Sequence, residues 1–207
     1  MPPLERDPRV RSEGRVSRVA TTISEHRDAE SLAGELEHIR AAPADDGVVE
    51  LVVRRPAVGE REVLAEGILD LAEGLVGDSW RVRGSSRTPD GASHPDTQVT
   101  LMNARAAAAV AGPRERWALA GDQLYVDLDL GVDNLPPGSR LQVGSAVVEI
   151  TAEPHTGCAK FRERFGSDAL RFVNGAAGRP LRLRGVNARV VEPGAVRPGD
   201  AVRKLAS

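Results

Sequence analysis

The chain of 207 residues contains a single cysteine, Cys158. That scarcity excludes an internal disulfide, and one thiol cannot hold an iron–sulfur cluster or a cysteine-rich zinc site. Electrons for any redox reaction must therefore come from elsewhere. An excess of positive charge is also missing: 28 Lys+Arg stand against 30 Asp+Glu, a net charge of −2, which argues against nucleic acid as a partner. Neither a secretory h-region nor an apolar run near the length of a membrane span is visible. The expectation is a soluble, cytoplasmic protein without a membrane partner. Nucleotide-binding glycine motifs are absent as well, with no Gly-x-x-x-x-Gly-Lys-Ser/Thr and no Gly-x-Gly-x-x-Gly after a strand. No nucleophile-elbow pattern supports a serine hydrolase. Asp122, Asp127 and Asp129 lack the glycine and terminal glutamate of an EF-hand, so they read as turn and strand-end residues.

At 22.0 kDa the chain can hold one domain with a sizeable core and a short appendage. Residues 1–20 mix charges with early prolines and little apolar content, as in a frayed tail. From Asp28 to about Arg40, the residues Ala29, Leu32, Leu36 and Ile39 recur at helical spacing, with Asp28 as N-cap and Pro43 beyond the end. This helix reads as a brace on the main domain. The pattern then turns to β, first at Val48–Val53 and Arg61–Ala65, then at Gly74–Arg81, Thr97–Met102 and Gln123–Asp127. Arg140–Val143, Ala146–Ala152, Val186–Glu192 and Ala201–Lys204 follow. Turn signals such as Pro136-Pro137-Gly138, Gly144-Ser145 and Glu192-Pro193-Gly194 separate several of them. Helices are expected at Asn103–Ala111, Cys158–Phe165 and Asp168–Asn174. Many short strands with occasional helices predict a mainly β fold with peripheral helices (α+β), a closed or nearly closed β-barrel. The division expected is 1–47 for tail and amphipathic helix, and 48–207 for the barrel domain. Arg83–Asp96, rich in Gly, Ser, Pro and Asp, reads as a long loop; its His94 reads as solvated. Trp80 and Trp117 read as core or rim aromatics.

Chemistry concentrates around Cys158. A thiol becomes nucleophilic, or a good metal ligand, only as thiolate, and nearby cations favour that form. His155, Lys160, Arg162 and Arg164 all lie within six positions of it. The alternative is a cysteine used as a small buried hydrophobe; the charged neighbours rank the functional reading first. A second basic cluster comprises Arg179, Arg182, Arg184 and Arg189, interleaved with Leu181, Leu183 and Gly185. Alternation alone explains it as one half-buried and one charged face. Were Arg184 and Arg189 to face the cysteine, they would offer forked donors to a phosphate or carboxylate. Asn134, ahead of Leu-Pro-Pro-Gly, could orient a ligand amide.

Several segments in order, Gly74-Leu75-Val76-Gly77-Asp78, Gln98-Val99-Thr100-Leu101-Met102, Ala120-Gly121-Asp122-Gln123-Leu124, Asn134-Leu135-Pro136-Pro137-Gly138, Pro154-His155-Thr156-Gly157-Cys158-Ala159-Lys160-Phe161, Leu183-Arg184-Gly185-Val186-Asn187-Ala188-Arg189-Val190-Val191 and Gly199-Asp200, resemble the MOSC domain, the C-terminal module of molybdenum cofactor sulfurases. The resemblance spans about residues 48–205. It implies a β-barrel with peripheral helices. It also implies that Cys158 ligates molybdenum in a pterin-dithiolene cofactor or carries sulfur as a persulfide, both suited to a soft thiolate. Lys160, Arg164, Arg184, Arg189 and Asn134 would then contact the cofactor, and His155 would assist catalysis beside Cys158. The chain has no room for the pyridoxal-phosphate domain of the sulfurases, so a persulfide would need a separate cysteine desulfurase. The residues before the first strand are too few for the additional N-terminal barrel of the amidoxime-reducing branch.

Three expectations follow. The first is a stand-alone cofactor protein that reduces N-hydroxylated compounds with an external electron donor. The second is a sulfur carrier. The third is a module that binds an anionic small molecule without chemistry.

Overall fold

The computed structural model describes residues 17–18 and 26–206. Its strands in chain order are β1 (Ser17–Arg18), β2 (Gly47–Arg54), β3 (Glu62–Leu64), β4 (Gly67–Asp70), β5 (Gly74–Leu75), β6 (Val99–Asn103), β7 (Leu124–Asp127), β8 (Arg140–Val143), β9 (Ala146–Ile150), β10 (Val186–Glu192), β11 (Gly194–Val196) and β12 (Ala201–Lys204). The α-helices are α1 (Ala29–Gly34), α2 (Leu36–Arg40), α3 (Trp80–Arg83), α4 (Ala104–Ala111) and α5 (Ala159–Asn174). Three-ten turns occupy Pro95–Thr97 and Arg114–Ala120.

Seven strands form a closed barrel in the order β2, β12, β8, β9, β10, β6, β7, with β7 pairing back onto β2. The β-rich expectation is met by this closure, which leaves no free edge around the ring. All neighbours in the ring are antiparallel except β6 and β7. That one parallel pair requires a crossover, and α4 with the Arg114–Ala120 turn supplies it.

Two apolar layers result. Val49, Val52, Leu101, Leu124, Val148 and Ala188 pack inside the barrel, whereas Leu51, Val53, Met102 and Tyr125 face outward beneath the helices. On β2 the inward residue changes parity between Val49 and Val52. The β2–β7 register shifts between Val49 and Leu51, and a bulge there inverts the faces. Helix α4 lies flat on the barrel because Ala106, Ala107, Ala109 and Ala111 are buried. Asn103 caps it by accepting from the Ala106 N–H at 2.9 Å. In α5 the buried residues Phe161, Phe165, Ala169 and Val173 recur every four positions, and Phe161 and Phe165 meet at 4.9 Å between ring centroids. The two helices expected around this segment are its two halves, separated at Gly166, where φ is +88°.

The N-terminal brace divides into α1 and α2, with Asp28 capping the Ser31 N–H at 2.8 Å. Leu32 and Ile39 join the outer layer with Phe161 and Ala107. Most of the tail expected over 1–20 lies outside the described residues; Ser17–Arg18 pair antiparallel with β3. The strand expected over Gly74–Arg81 ends at Leu75. Asp78 diverts the chain by accepting from the Trp80 N–H at 2.9 Å, and α3 follows. A small sheet of β11, β4 and β5 was not expected, since β4 is short and β11 begins inside the turn signal at Gly194. Among the described residues, no helix is long and apolar enough to cross a membrane.

Candidate functional site

Cys158 is exposed at the N-cap of α5. Its thiol opens on a cavity of about 170 Å³ whose charged lining residues are Arg55, Arg61, Arg83, Lys160 and Arg164. Among the described residues no carboxylate lines it. The chain brings these cations together from four places: the end of β2, the loop after it, α3 and the first half of α5.

A run of backbone carbonyls holds three of them. The three-ten turn ends at Ala120, where carbonyls lose their helical partners and carry partial negative charge. Arg61 Nε donates to Ala118 O at 3.2 Å, Arg164 Nη1 to Leu119 O at 2.7 Å, Arg184 Nη2 to Ala120 O at 2.9 Å and Arg55 Nη1 to Gly121 O at 2.7 Å. Four successive carbonyls thus each take a different arginine. Arg55 is also neutralised by Asp78, which receives its Nε and Nη2 at 2.8 and 2.9 Å. Among the described residues no carboxylate pairs with Arg61, Arg83, Lys160 or Arg164. Desolvation lowers the pKa of Arg61, with repulsion from Arg164 and Arg55 adding to it. Desolvation and then Arg55 lower that of Arg83. Among the described residues Asp78, on Arg55, is the one carboxylate that offsets these five cations, and the excess of positive charge left at the cavity is suited to an anion.

A second cavity, of about 430 Å³, adjoins the segment before the cysteine and is lined by residues 151–156 and by Val173, Asn174, Gly178, Arg179, Arg182 and 184–187. His155 is here and not in the cysteine's cavity. Its Nδ1 lies 3.5 Å from Oδ1 of the fully buried Asp122, and Asp122 Oδ2 accepts from Arg184 Nη1 at 2.6 Å. Desolvation, reinforced by Arg184, pushes His155 down to about 3. Between the cavities, Asn174 holds the Gly157 backbone, accepting its N–H at 2.9 Å and donating to its C=O at 3.1 Å.

Of the residues singled out in the sequence, Lys160 and Arg164 share the cysteine's cavity, while His155 and Arg184 line the other. Arg184 is buried and engaged by Asp122 and Ala120, with its guanidinium 5.1 Å from the Phe161 ring centre. Arg189 lies in neither cavity; it is half-exposed on β10 and paired with Glu149 at 2.5 Å. Asn134 also lies in neither, donating to Ala44 O and Asp129 O at 2.9 and 2.8 Å and receiving Lys204 Nζ at 2.9 Å. His94 caps the Pro95–Thr97 turn. Sequence reasoning missed Arg55, Arg61 and Arg83, which are distant in the chain, and treated Asp122 as a turn residue. The Gly74–Asp78 and Ala120–Leu124 motifs, which place Asp78 and Asp122, held the available signal.

The fold and site define a closed β-barrel protein with a solvent-reachable thiol at a cationic cavity. A family model for the MOSC domain matches residues 92–203, more than half of the chain, and the chain belongs to that family. Among solved structures it is similar to the YuaD protein from Bacillus subtilis, with a TM-score of 0.57 and 17% identity over 76% of this chain and 94% of that one. It is also similar to YiiM from Escherichia coli, with a TM-score of 0.50 and 18% identity over 77% of this chain and 70% of that one. Both likenesses show the fold. No curated protein matches.

Proposed function

We propose that this MOSC protein holds a molybdenum-pterin cofactor, with the Cys158 thiolate as metal ligand, and that it reduces N-hydroxylated compounds with electrons from a separate donor. The observation carrying this reading is the shared cavity: the chain's one thiol opens on five cations and, among the described residues, no carboxylate. The donor set fits such a group. Among the described residues no three His, Cys, Asp or Glu side chains converge as a metal cage, so the protein would supply one soft ligand and the cofactor's own sulfurs the others. Arg61, Arg83, Lys160 and Arg164 would hold the cofactor's phosphate, and Arg55, fixed by Asp78, would keep its guanidinium directed at the same wall. Phe161 supplies an apolar floor. When bound, the cofactor would provide the two-electron chemistry by which an N-hydroxyl group takes up two electrons and two protons and leaves as water.

Protein expressed in a molybdate-supplied, cofactor-competent host should carry stoichiometric molybdenum and pterin by plasma mass spectrometry and pterin fluorescence. Cys158→Ser should lose the metal. Full retention of both in that variant would overturn the ligand role.

The exposure of Cys158 favours one second reading, a sulfur carrier. Its thiolate would attack the outer sulfur of a desulfurase persulfide, forming Cys158–S–SH and releasing the desulfurase thiolate. Mass spectrometry under non-reducing conditions, after incubation with a desulfurase and cysteine, should then show one added sulfur. Absence of molybdenum, pterin and added sulfur would leave a passive anion-binding module.

A further inference from the structure

The cavity lined by His155 is built without Cys158. At its inner wall three buried atoms, His155 Nδ1, Asp122 Oδ1 and Arg184 Nε, have no hydrogen-bond partner among the described residues, and the first two face each other at 3.5 Å. Asp122 cannot turn away, because its other oxygen is fixed by Arg184. Desolvation and then Arg184 disfavour the charged form of the imidazole, which favours the neutral ring. A neutral ring beside a carboxylate keeps its one proton on the nitrogen that faces it, here Nδ1, and Nε2 is left as an acceptor. Since Nδ1 is out of solvent, the 17% of the side chain that remains exposed belongs to the rest of the ring, on the cavity wall. Gly185, with φ +103°, backs the imidazole; a Cβ there would stand 2.3 Å from Leu101 O and 3.3 Å from His155 Nδ1. Only glycine allows the chain to pass so close.

Around this acceptor the cavity is cationic. Arg179 and Arg182 have no carboxylate partner among the described residues. Arg179 Nε donates to Asn174 O at 2.7 Å, and Arg182 Nη1 donates to Leu135 O at 2.5 Å and to Leu130 O at 3.4 Å; among the described residues their other guanidinium nitrogens have no hydrogen-bond partner. Arg182 is held at φ +47°, a left-handed conformation costly for a non-glycine residue. Among the described residues the one acid of the lining, Glu153, is engaged by Arg87 at 2.9 Å and lies 3.7 Å from His94, on the side of the 83–96 loop.

We infer that this cavity is a second ligand site, separate from that of Cys158, for a small oxyanion that carries its own O–H or N–H donor. Arg179 and Arg182 take the charge, Nε2 of His155 accepts the donor's hydrogen bond, and Asp122 is the positioning residue that fixes the tautomer.

Inorganic phosphate and sulfate separate this arrangement from simple charge attraction. At pH 6 phosphate is mainly the monoanion with O–H donors, whereas sulfate has twice the charge and no donor. In full-length protein labelled with 15N at histidine, His155 should show the Nδ1–H tautomer, and phosphate should shift its Nε2 resonance. Phosphate should also bind about tenfold more tightly than sulfate, the worth of one good hydrogen bond. His155→Ala should abolish that preference, and Arg179→Ala should weaken both anions. Arg83→Ala, in the other cavity, should leave the His155 response intact. An Nε2–H tautomer, sulfate binding as tightly as phosphate, or no shift of His155 on titration would each overturn the inference. These wild-type readouts decide it even if a variant fails to fold.

Discussion

Arg184 donates to Asp122 at 2.6 Å with both side chains out of solvent, and this pair ties β10's approach to the wall between the two cavities. Removing one partner leaves the other charge buried. Arg184→Leu should therefore cost about 3–5 kcal/mol of unfolding free energy, in addition to freeing the Ala120 carbonyl. Urea denaturation of the variant checks this, and a loss below about 1 kcal/mol would show that Asp122 finds another cation or takes up a proton.

Cys158 contrasts with that pair. Its side chain is exposed and contributes no cap hydrogen bond to α5, so Cys158→Ser should change stability by no more than about 0.5 kcal/mol. Loss of bound molybdenum or of added sulfur in this variant would then report chemistry rather than unfolding. A large fall in denaturation midpoint would show that the thiol has a structural role.

Much of the barrel was legible because its strands obey a local rule. β8, β9, β10 and β12 fall within one or two residues of their alternating apolar runs, and the helix break at Gly166 coincides with the gap between two expected helices. Gly74–Arg81 misled because its apolar spacing continues past Gly77, while the chain is turned there by Asp78. The site was legible only in part. Cys158, Lys160 and Arg164 are close in sequence and meet on one face. Arg55, Arg61 and Arg83 reach them only through barrel closure and the docking of the Ala118–Gly121 carbonyls, contacts with no local signature. Motif residues such as Gln98 and Gln123 proved architectural: the Gln98 side chain accepts from the Val190 N–H at 2.8 Å, and that of Gln123 accepts from the Thr100 N–H at 2.9 Å.

The excess charge at the cysteine's cavity can be lowered by one without touching an arginine. Val58 lines it and is 85% exposed, so Val58→Glu costs little packing and adds a carboxylate beside Arg61 and Arg83. Affinity for an anionic ligand of this cavity, read with inorganic pyrophosphate by calorimetry, should fall about tenfold at low salt, and the difference should shrink as salt screens it. Val58→Gln should bind as the parent does. Equal weakening in both variants would assign the effect to shape instead of charge.

His155 gives the chain a defined acid sensitivity. The unfolded imidazole takes up a proton near its ordinary value of about 6.5, whereas the folded one resists protonation until about 3. Between these limits the unfolded state binds more protons, so falling pH favours unfolding. The contribution is fully present above the upper limit and declines by about 1.4 kcal/mol per pH unit through the window. Carboxylates titrate over part of the same range, and a His155→Gln variant removes their share by comparison. The parent's stability should therefore fall more steeply than the variant's between pH 6 and pH 4, with the two slopes differing by nearly one proton. Parallel slopes would mean that the ring is charged in the folded state. In that case Asp122 would outweigh desolvation and Arg184, and Nε2 would be a donor.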